Sequence, residues 1–317
     1  MAVKPRTVRT IRDKEVELRP VVSLGRLPVL DAGRTAAIVV VLAAWFVGSL
    51  FPLNHTDLWG HLAFGRWIVE HGRLPHADPF RSFLPPDAPF ANIPWLAQVA
   101  GYVTYDLFGP MGLRAGHAFL VALITALLMG AVRAAKGRWG VAAAAGGAFL
   151  FMSLPVIGTI RPQLFGMVGA AATLVAVESL RRSSKPLFWL PPLFALWANL
   201  HGSFPIGLGM LGAAWCAEVV AWFASRGANA KPRSIREARV KRTVLLRRYT
   251  LAGIVGAAVV CCHPMGVHLW PAVLGFGQNR NLAAIAEWQP LSPASFSGVV
   301  FAGSLVLTAV SVFAVAA

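Results

Sequence analysis

Apolar runs long enough to cross a bilayer recur along this chain, and short basic segments separate them. They lie at 35–52, 112–132, 139–158, 163–180, 186–200, 204–225, 249–263 and 297–317. A spanning helix needs about 20 mostly apolar residues. Lipid offers the backbone no hydrogen-bond partners, so runs of this kind must satisfy themselves as helices. Only 13% of the 317 residues are charged, whereas a soluble domain carries about 25%. The expected fold class is therefore all-α: a polytopic helical membrane protein with about eight transmembrane helices. The first run follows a 34-residue basic segment and ends without a small-residue cleavage site, so it reads as a span and not as a cleaved signal.

The segment "IPWLAQVAGYVTYDLF" (93–108) is apolar but short, and it contains Gln98 and Asp106. It reads as an amphipathic helix lying in the membrane interface. With it off the list of spans, segments 1–34, 133–138, 181–185 and 226–248 fall on one side and hold 23 of the 29 Lys and Arg residues. Cytoplasmic loops collect Lys and Arg, so these segments are assigned to the cytoplasm together with the N-terminus. The layout is then a basic N-terminal segment (1–34) and a transmembrane domain (35–317). The domain has a large first external loop at 53–111 containing interfacial helices, a cytoplasmic basic loop at 226–248, and a last external loop at 264–296. The same asymmetry accounts for the net charge of +16. It argues for contact with membrane lipid and against nucleic acid as a partner. Cys216, Cys261 and Cys262 lie in apolar runs without zinc-type spacing and read as small packing residues.

Polar residues gather on the external side. Six acids and six arginines lie there, several beside span ends. "TDLWGHLAFGRWIVEHG" reads as a short helix, with Thr56 as its cap and Gly72 closing it in a left-handed conformation. Asp57 falls in the first turn, where the helix dipole favours a carboxylate, and this alone would explain it as a helix-start residue. His61, at i+4, shares its face. Asp78 and Arg81 follow in a Pro- and Asp-rich connection where ordinary turn chemistry is the competing explanation. Arg161 occupies the turn "GTIRPQ", and His201 the end of "LWANLHG"; a snorkelling arginine and an interfacial histidine are the plain alternatives. Glu287 lies in the last external loop. Arginines and histidines at headgroup depth suit a lipid phosphate, because charge-assisted, bidentate bonds are the strong ones. A neighbouring carboxylate suits proton abstraction from an incoming hydroxyl.

The ordered series "DLWGHLAFGRWIVEHGRLPHADPF", "IPWLAQVAGYVTYDLFG", "RPQLFG", "WANLHGSFPIGL", "HPMG" and "EWQP" resembles polytopic bacterial members of the GT-C glycosyltransferase superfamily. The likeness is to the protein mannosyltransferase and aminoarabinose transferase type, and it runs from about Thr35 to the C-terminus. The resemblance implies a polyprenyl-phosphate-sugar donor and a glycan, lipid or protein acceptor. It also implies inversion at the sugar carbon and a site on the periplasmic or external face of the bacterial inner membrane. It implies that Asp57 is the catalytic base or a metal ligand. His61, Asp78, Arg81, Arg161, His201 and Glu287 are the substrate- and phosphate-binding candidates.

Two departures accompany the likeness. Arg81 follows "DPF" where the family pattern often has Ser, and no Asp-X-Asp or Asp-Glu pair stands at 57. The second leaves a requirement for divalent metal (Mg or Mn) open, and no other cofactor is implied. Members of the superfamily are usually longer, which leaves open a C-terminally truncated member. The competing functional classes are a non-catalytic relative and a flippase or transporter. The latter calls for ionisable or helix-breaking residues within spans, for which Glu218 and "LPPLF" (190–194) are the candidates.

Overall fold

The computed structural model describes residues 30–81, 90–224, 232–278 and 290–316, and among these it is all-helical, with no strand. The helices are α1 (Ala32–Leu50), α2 (Thr56–His71), α3 (Trp95–Ala134), α4 (Trp139–Ile157), α5 (Gln163–Leu180), α6 (Pro186–Leu200), α7 (Phe204–Ala224), α8 (Pro232–Val259), α9 (Leu269–Leu274) and α10 (Phe296–Ala316). Six of them are long and apolar enough to cross a membrane: α1, α3, α4, α5, α7 and α8 with the turn that follows it. α6 and the described part of α10 are apolar but shorter.

The bundle is apolar outside as well as inside. Phe46 on α1, Phe151 on α4, Phe188 on α6, Val220 on α7 and Ile254 on α8 are all exposed. Large apolar faces on every side would be a liability in water; in a bilayer they are the solvated surface.

Inside, two groups of helices share α5. Ala44, Val121, Ile124, Leu150, Ile157 and Leu164 join α1, α3, α4 and α5. Leu180, Phe194, Trp197, Phe204, Leu211 and Tyr249 join α5 to α6, α7 and α8. Buried His117 on α3 ties the first group together, its ring nitrogens each 2.7 Å from a carbonyl, Gly48 at the end of α1 and Ile157 at the end of α4. This contact fixes the start of the α4–α5 turn, which carries Arg161.

α3 bends between its two limbs. Gly109 has φ 61° and ψ −159°, a region open essentially to glycine alone, and Pro110 follows without an N–H to donate. The bend separates the 93–108 segment from the 112–132 span, as the sequence suggests. α2 packs on the first limb at very short range: a Cβ added to Gly65 would overlap the Gln98 carbonyl. Leu58 and Leu62 of α2 meet Leu113 just beyond the bend.

The far end of the bundle differs from expectation in one respect. Residues 226–248 read as a basic loop, yet α8 begins at Pro232 and runs unbroken into the apolar segment. Arg, Lys, Glu and Ala are good helix formers, and hydropathy alone does not register that. There Glu218, buried on α7, is held by Arg181 Nη1 at 3.2 Å and Arg242 Nη1 at 3.0 Å. Pro191 and Pro192 lie within a continuous α6 and do not break it.

Candidate functional site

The site begins at the N-terminus of α2. The cap is His55, not Thr56: His55 Nδ1 accepts the Asp57 N–H at 3.2 Å, and Thr56 is the first helical residue. Gly72 closes the helix at φ 63°, ψ 17°, donating to the Ile68 carbonyl, as the sequence predicts. Asp57 stands in the first turn with its side chain half exposed.

Arg161 reaches it from the α4–α5 turn. Its Nη2 lies 3.1 Å from Asp57 Oδ2, and it also contacts His55 Nε2. The arginine side chain is only 11% exposed, against 51% for the aspartate, so the cation is sunk in the fold while the carboxylate stays accessible. A snorkelling arginine would show the reverse, with its head in the solvent.

His61 lies one turn along α2. Gln98 Nε2 donates to His61 Nδ1 at 3.3 Å, and Asn92 Nδ2 donates in turn to Gln98 Oε1 at 2.7 Å. An imidazole whose Nδ1 accepts carries its proton on Nε2. Burial pushes the His61 pKa down; the Asp57 carboxylate opposes this and Arg161 adds to it. His201, just past the end of α6, has the same arrangement. Ser203 N–H donates to His201 Nδ1 at 3.2 Å, the Ser203 hydroxyl lies 2.8 Å from that nitrogen, and Trp197 Nε1 donates to the hydroxyl at 3.1 Å. Burial, with a smaller contribution from His61, lowers the His201 pKa to about 4. Near neutral pH both rings are uncharged N–H donors.

Asp57, His61, Arg161, Gln163, His201 and Ser203 line one cavity of about 420 Å³. Val273 and Phe276, from the last external loop of the sequence reading, supply an apolar wall. A second cavity of about 250 Å³ adjoins it and is almost wholly apolar. It shares His61, Arg161 and Pro162 with the first and extends along α3 past Leu113 to Phe119. Phe119 is 53% exposed on the outer surface of the bundle.

Of the seven residues singled out from sequence, four meet here: Asp57, His61, Arg161 and His201. Asp78 and Arg81 do not line the cavity. Asp78 Oδ1 accepts the Phe80 N–H at 3.0 Å in a local turn, and Arg81 Nε lies 3.2 Å from Asp78 Oδ2. Glu287 lies outside the described residues. Sequence reasoning missed His55, Gln98 and Ser203. Thr56 was the expected cap because histidine is not among the favoured capping residues, and Gln98 and Ser203 act only through tertiary contact.

Among the described residues Asp57 is the only carboxylate that lines the cavity, and its Oδ2 already carries a guanidinium. Among the described residues no group of three or more His, Cys, Asp or Glu is placed to hold a metal. The arrangement can grip an oxyanion with one guanidinium and two imidazole N–H groups, and it can accept a proton at one carboxylate. No family model matches the chain, and no curated protein or solved structure matches it.

Proposed function

We propose that the chain is a glycosyltransferase of the bacterial inner membrane that moves a sugar from a polyprenyl-phosphate donor to a glycan, lipid or protein acceptor in cell-envelope glycan biosynthesis. α6 and α10 complete a set of eight spans, the N-terminus is cytoplasmic, and the Asp57 cavity faces the periplasm or exterior. The observation that carries this reading is the junction of two unlike cavities at His61, Arg161 and Pro162. A lipid-phosphate sugar has the same division: a charged, hydroxylated head and a hydrocarbon tail that has to stay out of water.

In this reading the head occupies the polar cavity and the tail begins in the apolar one. Arg161, with the Nε2–H groups of His61 and His201, takes the phosphate oxygens. The acceptor hydroxyl attacks the anomeric carbon from the face opposite the phosphate. The bond from that carbon to the phosphate oxygen breaks, and the electron pair leaves with polyprenyl phosphate. The hydroxyl proton passes to the Asp57 carboxylate, and the configuration at the sugar carbon inverts. Stabilising the leaving phosphate and accepting the proton are separate contributions, each on the order of 10² or more in rate.

The two sequence features weighed for a flippase have structural surroundings that explain them without transport. Glu218 is neutralised by Arg181 and Arg242, and Pro191–Pro192 lies inside an unbroken helix. The test is Asp57→Asn in a host whose surface glycan depends on this protein. Loss of glycan with normal membrane insertion supports the transferase. Lipid-linked donor accumulating on the cytoplasmic leaflet identifies a flippase, and an unchanged glycan identifies a non-catalytic protein.

A further inference from the structure

α8 presents arginines on two faces with different surroundings. On the face toward the bundle, Arg242 Nη1 donates to Glu218 Oε2 at 3.0 Å, and Arg248 Nη1 donates to the Leu180 carbonyl at 2.7 Å. Tyr249 beside them donates to the Val177 carbonyl at 3.0 Å. These cations are consumed by the fold. Arg236, Arg239 and Arg247, spaced i, i+3 and i+11, share the opposite face at 100° per residue. Together with Thr243 and with Trp222 of α7 they line a cavity of about 660 Å³.

Three features distinguish this cavity from an ordinary solvated basic surface. Among the described residues no acidic side chain lines it. Among the described residues, Arg239 Nε is buried with no hydrogen-bond partner, a state that costs free energy until an acceptor arrives. The remaining walls are apolar, from Val240, Val244 and the Trp222 ring, at the end of α7 remote from Phe204 and the Asp57 cavity. Indole rings favour the headgroup level of a bilayer.

We propose that this cavity is a second ligand site, which binds the phosphate group of an anionic phospholipid at the membrane face opposite Asp57. Guanidinium forks engage the phosphate oxygens, Arg239 Nε gains its acceptor, and the Val240–Val244–Trp222 wall meets the start of the acyl chains. A soluble phosphate could use the same forks but would leave the apolar wall unmatched. The site is separate from the Asp57 cavity and does not depend on the transferase reading.

The test uses the full-length chain in nanodiscs of phosphatidylcholine containing a minority of phosphatidylglycerol. Native mass spectrometry and lipid extraction measure the enrichment of phosphatidylglycerol on the protein. Wild type is expected to enrich it, and Arg236→Gln/Arg239→Gln/Arg247→Gln to lose about tenfold of that preference, equivalent to about 1.4 kcal/mol. The variant Arg236→Lys/Arg239→Lys/Arg247→Lys keeps the charge that sets topology but lacks the fork, and is expected to lose most of the preference while inserting normally. It decides alone if the glutamine variant fails to insert. Equal retention of the two lipids, or a preference unchanged in the lysine variant, overturns the site. Displacement of phosphatidylglycerol by millimolar inorganic phosphate overturns the lipid as its occupant.

Discussion

Arg161 Nη2 stands 3.1 Å from Asp57 Oδ2, with the guanidinium sunk in the fold and the carboxylate half exposed. The α4–α5 turn supplies one partner and the first turn of α2 the other, so this ion pair ties the short helix to the spanning bundle. Its asymmetry suits a site in which the cation is fixed and the anion meets incoming groups.

Arg161→Lys and Arg161→Gln should both reduce sugar transfer, glutamine by on the order of 10²–10³. Lysine should restore little, because a point charge does not reproduce a guanidinium that contacts Asp57 and His55 together and, in the proposed reaction, grips the phosphate as a fork. Donor turnover in membranes measures this. Full activity in the lysine variant would remove the fork from the account.

Asp57→Asn should lower turnover by about 10²–10⁴ while leaving donor binding within a few-fold. Asparagine keeps the side-chain shape and can still accept a hydrogen bond from Arg161, so a fall in binding as large as the fall in turnover would make Asp57 a binding residue and not a base.

Stability should depend on pH through His201. Its pKa falls from 6.5 unfolded to about 4 folded, so between those values the unfolded chain binds more protons and stability rises with pH. The contribution is complete above about pH 6.5 and is lost as pH drops toward 4. It amounts to at most about 3.4 kcal/mol at 1.36 kcal/mol per pKa unit. His61 is lowered as well and acts in the same direction. The melting temperature in detergent should fall across this window, and less steeply in His201→Gln.

Gly65→Ala should destabilise the seat of α2 on α3 by about 1–3 kcal/mol, because the added methyl meets the Gln98 backbone. Gly60→Ala, on the same helix with open space around it, should be neutral or slightly stabilising. Thermal unfolding of the pair separates close packing from helix propensity.

Glu218→Gln should cost only about 1 kcal/mol: Arg181 and Arg242 lose their shared anion but keep 43% and 32% of their side chains exposed, and Arg181 keeps Glu178 at 3.7 Å. The folded fraction should turn over donor normally, since this cluster lies at the end of α7 remote from His201.

The helices were legible in the sequence because lipid imposes a single length scale on every span, and the short length of 93–108 set it apart from the span that follows it in α3. Within the segment read as a basic loop, residues 232–248 are helical; their charges hid good helix formers. The α2 helix and its Gly72 closure followed from local chemistry alone. The site was only partly legible. Asp57 and His61 are four residues apart on one helix, so periodicity pairs them, but nothing local brings Arg161 or His201 to them. That depends on His117 holding the ends of α1 and α4 and on Trp95 Nε1 donating to Asn199 Oδ1 at 2.7 Å, which docks the end of α6 on the start of α3. Asp78 and Arg81 show the converse: residues with suitable chemistry that satisfy each other.

The most direct test of the transferase reading is release of polyprenyl phosphate. Full-length protein in proteoliposomes would be given a panel of polyprenyl-phosphate-linked hexoses and pentoses with a membrane extract as acceptor. The account predicts release from at least one donor by wild type, with inversion at the sugar carbon, and a loss of about 10² or more in Asp57→Asn. Release that persists unchanged in Asp57→Asn, or retained configuration at the transferred sugar, would contradict it.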